Sequence, residues 1–256
     1  LLVQLNASSG AIESTFNPVA AGCTGAGIWA SPTFDSSDGS MYIATGTEGH
    51  CAKGEAIGVV KLKTTTMAYE TSWVIPLNLR VHDSDFGATP MLFTATIGGT
   101  LHKMVGVPNK NGVLYAFDRT TLGSGPLWTA TLASGGSCPQ CGQGSISSPV
   151  YDGSKIYVAG GQTTINNVNC KGSIRALNPA SGSFTWQTCL SGTVMGAITL
   201  VPGVLAVVDG PNLTLVSTSS GAILYNNQGN FYGSPTISNG VLYVGSTTNQ
   251  LYAFGL

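Results

Sequence analysis

The segments SPVYDGSKIYVAGG (residues 148–161) and GSIRALNPASGSFTWQT (residues 172–188) decide the prediction of the fold. They contain four short runs rich in β-branched and aromatic residues: SPVYD, KIYVAG, SIRALN and FTWQT. Turn sequences such as DGS and NPASG separate these runs, as is typical of short antiparallel strands. The two segments therefore predict one unit of four strands.

This four-strand unit recurs along the chain. A small residue followed by proline marks the start of a unit, at Pro32, Pro90, Pro149 and Pro235. The first two intervals are 90 − 32 = 58 and 149 − 90 = 59 residues. The last, 235 − 149 = 86, covers two units, because residues 196–228 keep the pattern without the proline. A proline can head the innermost strand of a unit, where a missing backbone N–H costs least.

Repeated units of this kind predict an all-β fold, a β-propeller of four-stranded antiparallel blades. We expect one propeller domain over residues 1–256. Residues 1–6 match the third strand of a unit and residues 11–16 the fourth, while the last unit has three strands. The chain is thus expected to cover about five blades of an eight-bladed propeller, with roughly three blades upstream.

A turn followed by an aromatic residue recurs between the third and fourth strands of each unit. It reads ALNPASGSFTW at 176–186, AFDRTTLGSGPLW at 116–128 and LVSTSSGAILY at 215–225. A turn closed by glycine would place the aromatic side chain on the outer strand, where it can pack between neighbouring blades. We therefore predict contacts between blades at Trp186, Trp128 and Tyr225.

These repeats resemble those of the pyrroloquinoline-quinone (PQQ) type β-propellers. That group includes quinoprotein alcohol dehydrogenases, polyvinyl-alcohol-dehydrogenase-like proteins and outer-membrane assembly lipoproteins without catalytic activity. The resemblance covers nearly the whole chain. It implies the propeller fold, and it leaves two function classes open, because enzymes and binding scaffolds share the repeats.

The segment DSDFGATP (residues 83–90) stands out, because charged residues make up only 8% of the chain. In the quinoprotein alcohol dehydrogenases, an aspartate before an aromatic residue and a glycine is the catalytic base. A later basic residue in a turn with Asn-Gly contacts the quinone. The resemblance thus implies that Asp85 is the catalytic base and that Lys110 and Asn111 bind PQQ. The alternative is that Asp85 is a structural turn residue, and we expect Asp83 to cap a turn.

The same resemblance places a calcium ligand at Thr47. The family has an asparagine after Thr-Gly in the preceding unit, whereas this chain reads ATGT at 44–47. A threonine hydroxyl binds calcium less readily than an asparagine carbonyl. The resemblance therefore implies calcium as a second cofactor, with Thr47 in place of the family's asparagine ligand.

The six cysteines predict disulfides and an oxidising compartment. Equivalent loops of the first and third units carry Cys23 with Cys51, and Cys141 with Cys170. We therefore predict the bridges Cys23–Cys51, Cys141–Cys170 and, from the two remaining cysteines, Cys138–Cys189. The alternative for the last four is Cys138–Cys141 with Cys170–Cys189, which needs a short ring across two residues.

The overall charge limits the possible partners. Lys and Arg number 10 and Asp and Glu 11, so the net charge is −1. This excludes a broad electrostatic interaction with nucleic acid or with an anionic membrane surface. No apolar run is long enough for a transmembrane segment. The sequons at Asn6 and Asn212 agree weakly with secretion.

Two functions remain open for a secreted, extracellular or periplasmic protein. One is a quinoprotein dehydrogenase that oxidises a small alcohol, a polyol or a polymer. The other is a propeller scaffold without catalytic activity that binds an extracellular protein or a polysaccharide.

Overall fold

Short strands account for almost all of the regular structure. The computed structural model describes residues 1–50 and 54–255. The strands of this part are β1 (Leu2–Leu5), β2 (Ile12–Phe16), β3 (Thr33–Asp35), β4 (Ser40–Ala44), β5 (Gly58–Lys63), β6 (Tyr69–Val74), β7 (Met91–Ile97), β8 (Thr100–Pro108), β9 (Val113–Asp118), β10 (Trp128–Thr131), β11 (Val150–Tyr151), β12 (Ile156–Gly160), β13 (Thr163–Ile165), β14 (Val168–Cys170), β15 (Gly172–Leu177), β16 (Phe184–Leu190), β17 (Thr199–Val201), β18 (Val204–Asp209), β19 (Asn212–Ser217), β20 (Ile223–Gln228), β21 (Phe231–Ser238), β22 (Val241–Ser246) and β23 (Leu251–Gly255).

Helical structure in the described ranges is limited to three 3₁₀ turns, at Leu77–Leu79, Leu122–Ser124 and Pro139–Cys141. None of them approaches the length and apolarity that crossing a membrane requires.

The strands form antiparallel sheets in chain order. Blade A contains β3–β6, blade B β7–β10, blade C β11, β12, β15 and β16, and blade D β17–β20. The strands β21–β23 form a three-stranded sheet, and β1 pairs with β2. The predicted four-stranded unit is therefore confirmed in blades A to D.

The first strands of successive sheets lie side by side, as they do around the axis of a propeller. Contacts join β3 to β7, β7 to β11 and β17 to β21. The Thr33 hydroxyl donates to the carbonyl of Pro90 at 2.5 Å, and the Thr199 hydroxyl donates to that of Pro235. These contacts confirm the β-propeller fold.

The hydrophobic core lies between neighbouring blades. One cluster combines Tyr42, Val59 and Ile75 of blade A and its flanks with Val105 and Phe117 of blade B. Similar clusters join blades B and C, blades C and D, and blade D and the last sheet. Each blade is therefore stabilised by its neighbours, as expected for a repeat architecture.

The predicted aromatic contacts between blades are confirmed at two tryptophans. Trp128 Nε1 donates to the Pro179 carbonyl at 3.0 Å, and the indole covers Gly182 in the turn of the next blade. Trp186 Nε1 donates to the Thr218 carbonyl at 3.0 Å and covers Gly221 in the same way. Tyr225, by contrast, is 45% exposed.

Two of the predicted disulfide pairs are wrong. The protein forms Cys138–Cys141 and Cys170–Cys189 instead of Cys141–Cys170 and Cys138–Cys189. Cys51 lies outside the described residues, so Cys23–Cys51 stays a prediction.

The local backbone explains both pairings. A 3₁₀ turn brings Cys138 and Cys141 to a Cα–Cα distance of 5.2 Å, so the short ring fits the usual range. Cys189 pairs in register with Ser173 next to the end of β14, which places it 5.1 Å from Cys170.

A small hairpin of β13 and β14 is inserted between the second and third strands of blade C. The four-strand repeat did not predict it. Asn166 and Asn167 both have positive φ, 49° and 64°, as a type I′ hairpin turn requires. The dipeptide Asn-Asn was the available signal.

Gly182 provides a test of the packing between blades. It has φ +70°, and an added Cβ would lie 2.4 Å from the Trp128 ring. Gly182→Ala should therefore lower the free energy of unfolding by about 1–2 kcal/mol for the left-handed backbone and about 1–3 kcal/mol more for overpacking. Urea unfolding measures this change.

Gly10→Ala is the matched control for this test. Gly10 occupies the same kind of turn with φ +72°, but no atom lies within 4 Å of its added Cβ. Equal destabilisation by the two substitutions would show that the contact of Trp128 with the turn contributes nothing.

Candidate functional site

The segment that contains Asp83 and Asp85 forms the entry to blade B. Asp83 has φ +59°, and the Asp85 N–H donates to the Asp83 carbonyl at 2.9 Å. This tight turn places both carboxylates on the side of the segment that faces Lys110. Asp85 is only 8% exposed. Asp83 does not cap a turn as expected, because its carboxylate interacts with Lys110 and Thr47.

Lys110 lies in the turn between β8 and β9, directly opposite this segment. The Lys110 N–H donates to the Asp85 carbonyl at 3.1 Å. The side chain of Asn109, which is fully buried, donates to the carbonyls of Ser84 and Asp85 at 2.6 and 3.1 Å. Asn109 therefore joins the two loops. The repeat alone did not single it out, and its place before Lys110 in NKNG was the only signal.

The ammonium of Lys110 bridges both carboxylates. Its Nζ lies 2.7 Å from Asp83 Oδ2 and 2.5 Å from Asp85 Oδ2. Thr47, from the loop between β4 and β5 of blade A, faces the other oxygens. Its Oγ1 lies 2.8 Å from Asp83 Oδ1 and 2.6 Å from Asp85 Oδ1, and its N–H donates to Asp85 Oδ1 at 2.5 Å. The site thus connects blades A and B.

The electrostatics of this cluster follow from the shared lysine. The hydrogen bond from Lys110 lowers the pKa of Asp83, and the hydrogen bond from Thr47 adds to that effect against the opposing effect of burial. Burial lowers the pKa of Lys110, but the hydrogen bonds and the negative charges of Asp83 and Asp85 outweigh it, so the net shift is upward. Two carboxylates and one ammonium give a formal charge of −1.

Trp29 is a second site residue, besides Asn109, that the sequence reasoning missed. It is 51% exposed, and its ring centroid lies 5.7 Å from Lys110 Nζ, within cation–π distance. Two glycines leave space for these side chains. A Cβ at Gly87 would lie 2.3 Å from the Trp29 indole, and a Cβ at Gly46 would lie 2.7 Å from Asp85 Oδ1. The repeat contained a signal for Trp29. Trp29 stands three residues before Pro32, and Gly87 stands three residues before Pro90, so the two occupy equivalent positions in neighbouring units.

Asn111 has a structural environment. Its side-chain amide donates to the Leu79 carbonyl at 2.9 Å and to the Tyr115 hydroxyl at 2.6 Å, and its side-chain oxygen accepts from the Val113 N–H. Both amide hydrogens therefore have protein partners, and Lys110 is the better placed of the two predicted cofactor contacts.

The residues around Thr47 do not fit a calcium ion. Calcium prefers six to eight oxygen ligands, whereas an ammonium bridges the two carboxylates here, and Thr47 directs an N–H at one of them. The nearby Glu48 is paired with Arg80. Within residues 1–50 and 54–255, no group of three or more acidic, histidine or cysteine side chains could hold a metal ion.

The fit to PQQ rests on other features. A half-exposed indole, an ammonium and a carboxylate lie together at Trp29, Lys110 and Asp85. An aromatic face suits a planar ring system, and a cation suits quinone oxygens. These three residues therefore fit the quinone part of the cofactor.

The shared lysine predicts how stability responds to acid. Because the pKa of Asp83 is below its usual value of 3.8 in the folded protein, its contribution is present above that value and is lost as the pH falls through the lower, folded value. In Lys110→Met this contribution is absent and the carboxylates repel each other. The loss of stability in Lys110→Met should therefore be large at pH 7 and shrink below about pH 4.

Urea unfolding of the parent protein and the variant between neutral and acidic pH measures this difference. Lys171→Met, which changes an exposed lysine far from the carboxylates in the sequence, is the control. If the effect of Lys110→Met were the same at every pH, the ion pairs would not contribute to stability.

Comparison with known proteins supports the fold. The model for a family of PQQ repeats, described as "Outer membrane protein assembly factor BamB", matches residues 170–255. No curated protein matches the chain.

Several solved structures are similar to this chain. Quinohemoprotein alcohol dehydrogenase from Comamonas testosteroni aligns with a TM-score of 0.64 and 14% identity over 86% of this chain and 44% of its own. A quinohemoprotein alcohol dehydrogenase from Pseudomonas putida HK5 gives a TM-score of 0.61 and 13% identity over 86% and 44%. A europium-containing methanol dehydrogenase gives 0.65 and 12% over 90% and 50%.

The chain spans half or less of the length of these three proteins. At such low identity the likeness concerns the fold, and the family model covers the last third of the chain. The chain is thus a β-propeller with the fold of the quinoprotein dehydrogenases, and residues 170–255 carry the PQQ-type repeat.

Proposed function

We propose that this protein is a secreted quinoprotein dehydrogenase that oxidises an alcohol or a polyol, with Asp85 as the base. The observation that carries the proposal is the position of the Asp85 carboxylate between the ammonium of Lys110 and the loop that holds Thr47, beside the half-exposed indole of Trp29.

The Asp85 carboxylate has an acceptor position left for a substrate hydroxyl. A carboxylate offers about four acceptor positions. The Thr47 N–H and hydroxyl approach Oδ1, and Lys110 occupies one position on Oδ2. One position on Oδ2 therefore remains for the hydroxyl of an alcohol. The formal charge of −1 on the cluster also leaves one negative charge that can accept a proton.

Lys110 and Trp29 would hold the cofactor. PQQ, when bound, supplies the two-electron acceptor that takes the hydride from the alcohol carbon. The Trp29 indole offers an aromatic face, and the Lys110 ammonium offers a positive charge to the quinone oxygens. Because Lys110 also contacts Asp85, the same side chain would align the base with the cofactor.

The disulfides support the proposed location. Cys138–Cys141 and Cys170–Cys189 both require an oxidising environment to persist. An extracellular or periplasmic location provides such an environment.

A scaffold without catalytic activity is the second candidate function. It is favoured by the match of residues 170–255 to the repeat of an assembly factor. It is also compatible with the site, because Thr47 and Asp85 connect two blades and would do so in a binding protein as well. On this alternative the protein would bind an extracellular protein or a polysaccharide through its loops.

The test is dye reduction by the purified protein mixed with PQQ, with and without calcium, and with ethanol, glycerol or polyvinyl alcohol as substrate. We expect the parent protein to reduce the dye. Asp85→Asn should lower the rate by about 10²–10⁴-fold, because the proton acceptor is lost.

Asp38→Asn, in the turn between β3 and β4, is the control and should keep the parent rate. Circular dichroism confirms that the variants are folded. If Asp85→Asn retained the parent rate, Asp85 would not be the base. A parent protein that is inactive with every substrate would favour the scaffold.

A further inference from the structure

We propose that Lys110 is the built-in cation of this site. Its ammonium occupies the position between Asp83 and Asp85 that a metal ion would need, so the site excludes calcium. The proposal concerns the same site as the proposed function, but its test measures metal binding and is independent of turnover.

The Lys110 ammonium contacts one oxygen of each carboxylate. Nζ contacts Asp83 Oδ2 at 2.7 Å and Asp85 Oδ2 at 2.5 Å, whereas the two Oδ1 atoms face the Thr47 hydroxyl. A cation that bound both aspartates through their Oδ2 atoms would have to contact the oxygens that Nζ already occupies. The Lys110 side chain is only 9% exposed, so little water competes for its charge.

The backbone of Lys110 is fixed in place. Its N–H donates to the Asp85 carbonyl, and its carbonyl accepts from the Gly136 N–H at 3.0 Å. Gly144 packs so closely that an added Cβ would lie 2.3 Å from the Lys110 carbonyl oxygen. A metal ion could therefore replace the ammonium on the two Oδ2 atoms only if the Lys110 side chain alone moved out, which would break both of its ion pairs.

Charge also opposes the entry of a metal. With Lys110 in place the cluster carries a formal charge of −1, whereas the two aspartates alone would carry −2. A divalent ion beside the ammonium would be repelled by it, and the burial of the ammonium strengthens that repulsion. Removal of the ammonium should therefore turn the carboxylate pair into a cation site.

Terbium luminescence tests the proposal directly, because an indole excites a nearby Tb³⁺ ion and Trp29 lies beside Lys110. We expect little luminescence from the parent protein. Lys110→Met should bind Tb³⁺ at least tenfold more tightly, and calcium should compete with it. Lys171→Met should behave like the parent, and the double variant Lys110→Met with Asp85→Asn should lose the gain.

Lys110→Gln is the second variant in case Lys110→Met does not fold, since it removes the charge but keeps a polar side chain. The parent protein alone gives a further test that needs no lysine variant. Its thermal unfolding should not shift when calcium is added.

Two results would overturn the proposal. One is tight binding of Tb³⁺ or calcium by the parent protein that Asp85→Asn abolishes, because the ammonium would then not exclude the metal. The other is equal Tb³⁺ affinity of the parent and the folded lysine variants, because the ammonium would then not be what occupies the site.

Discussion

One lysine ammonium is shared by two carboxylates at the junction of blades A and B, and the loops of this face are arranged around it. The charge comes from the turn between β8 and β9, and the carboxylates come from the entry to blade B. Thr47 connects blade A to the site, and Asn109 joins the two loops of blade B through a hydrogen bond. Because each contact joins a different part of the chain, the site forms only when the blades are in place.

The blades are in turn positioned by close approaches between turns and aromatic rings. Trp128 and Trp186 each cover a glycine in the following blade. Each indole also donates a hydrogen bond to a backbone carbonyl of that blade. Trp29 in the site packs against a glycine in the same way, since Gly87 leaves the space that the indole fills. Packing between blades and formation of the site therefore depend on the same feature of the sequence, a glycine where a neighbouring ring must fit.

The sequence predicted the features that recur and missed those that depend on a single contact. Strands, prolines and the turns before Trp128 and Trp186 recur in several units, so each copy supports the others. The disulfide Cys170–Cys189 depends on the register of β16 against β15 and on the inserted hairpin, which the repeat cannot define. The resemblance predicted that Asp85 and Lys110 belong to one site, whereas the lysine bridge to Asp83 required side-chain geometry.

The exclusion of calcium by Lys110 can be tested with a crystal structure of the protein grown with PQQ and calcium, using anomalous scattering to locate the metal. We predict that Lys110 Nζ stays within hydrogen-bond distance of Asp83 and Asp85, that a planar ligand lies on Trp29, and that no anomalous peak lies between the carboxylates. A calcium peak there, with the Lys110 side chain displaced, would contradict it.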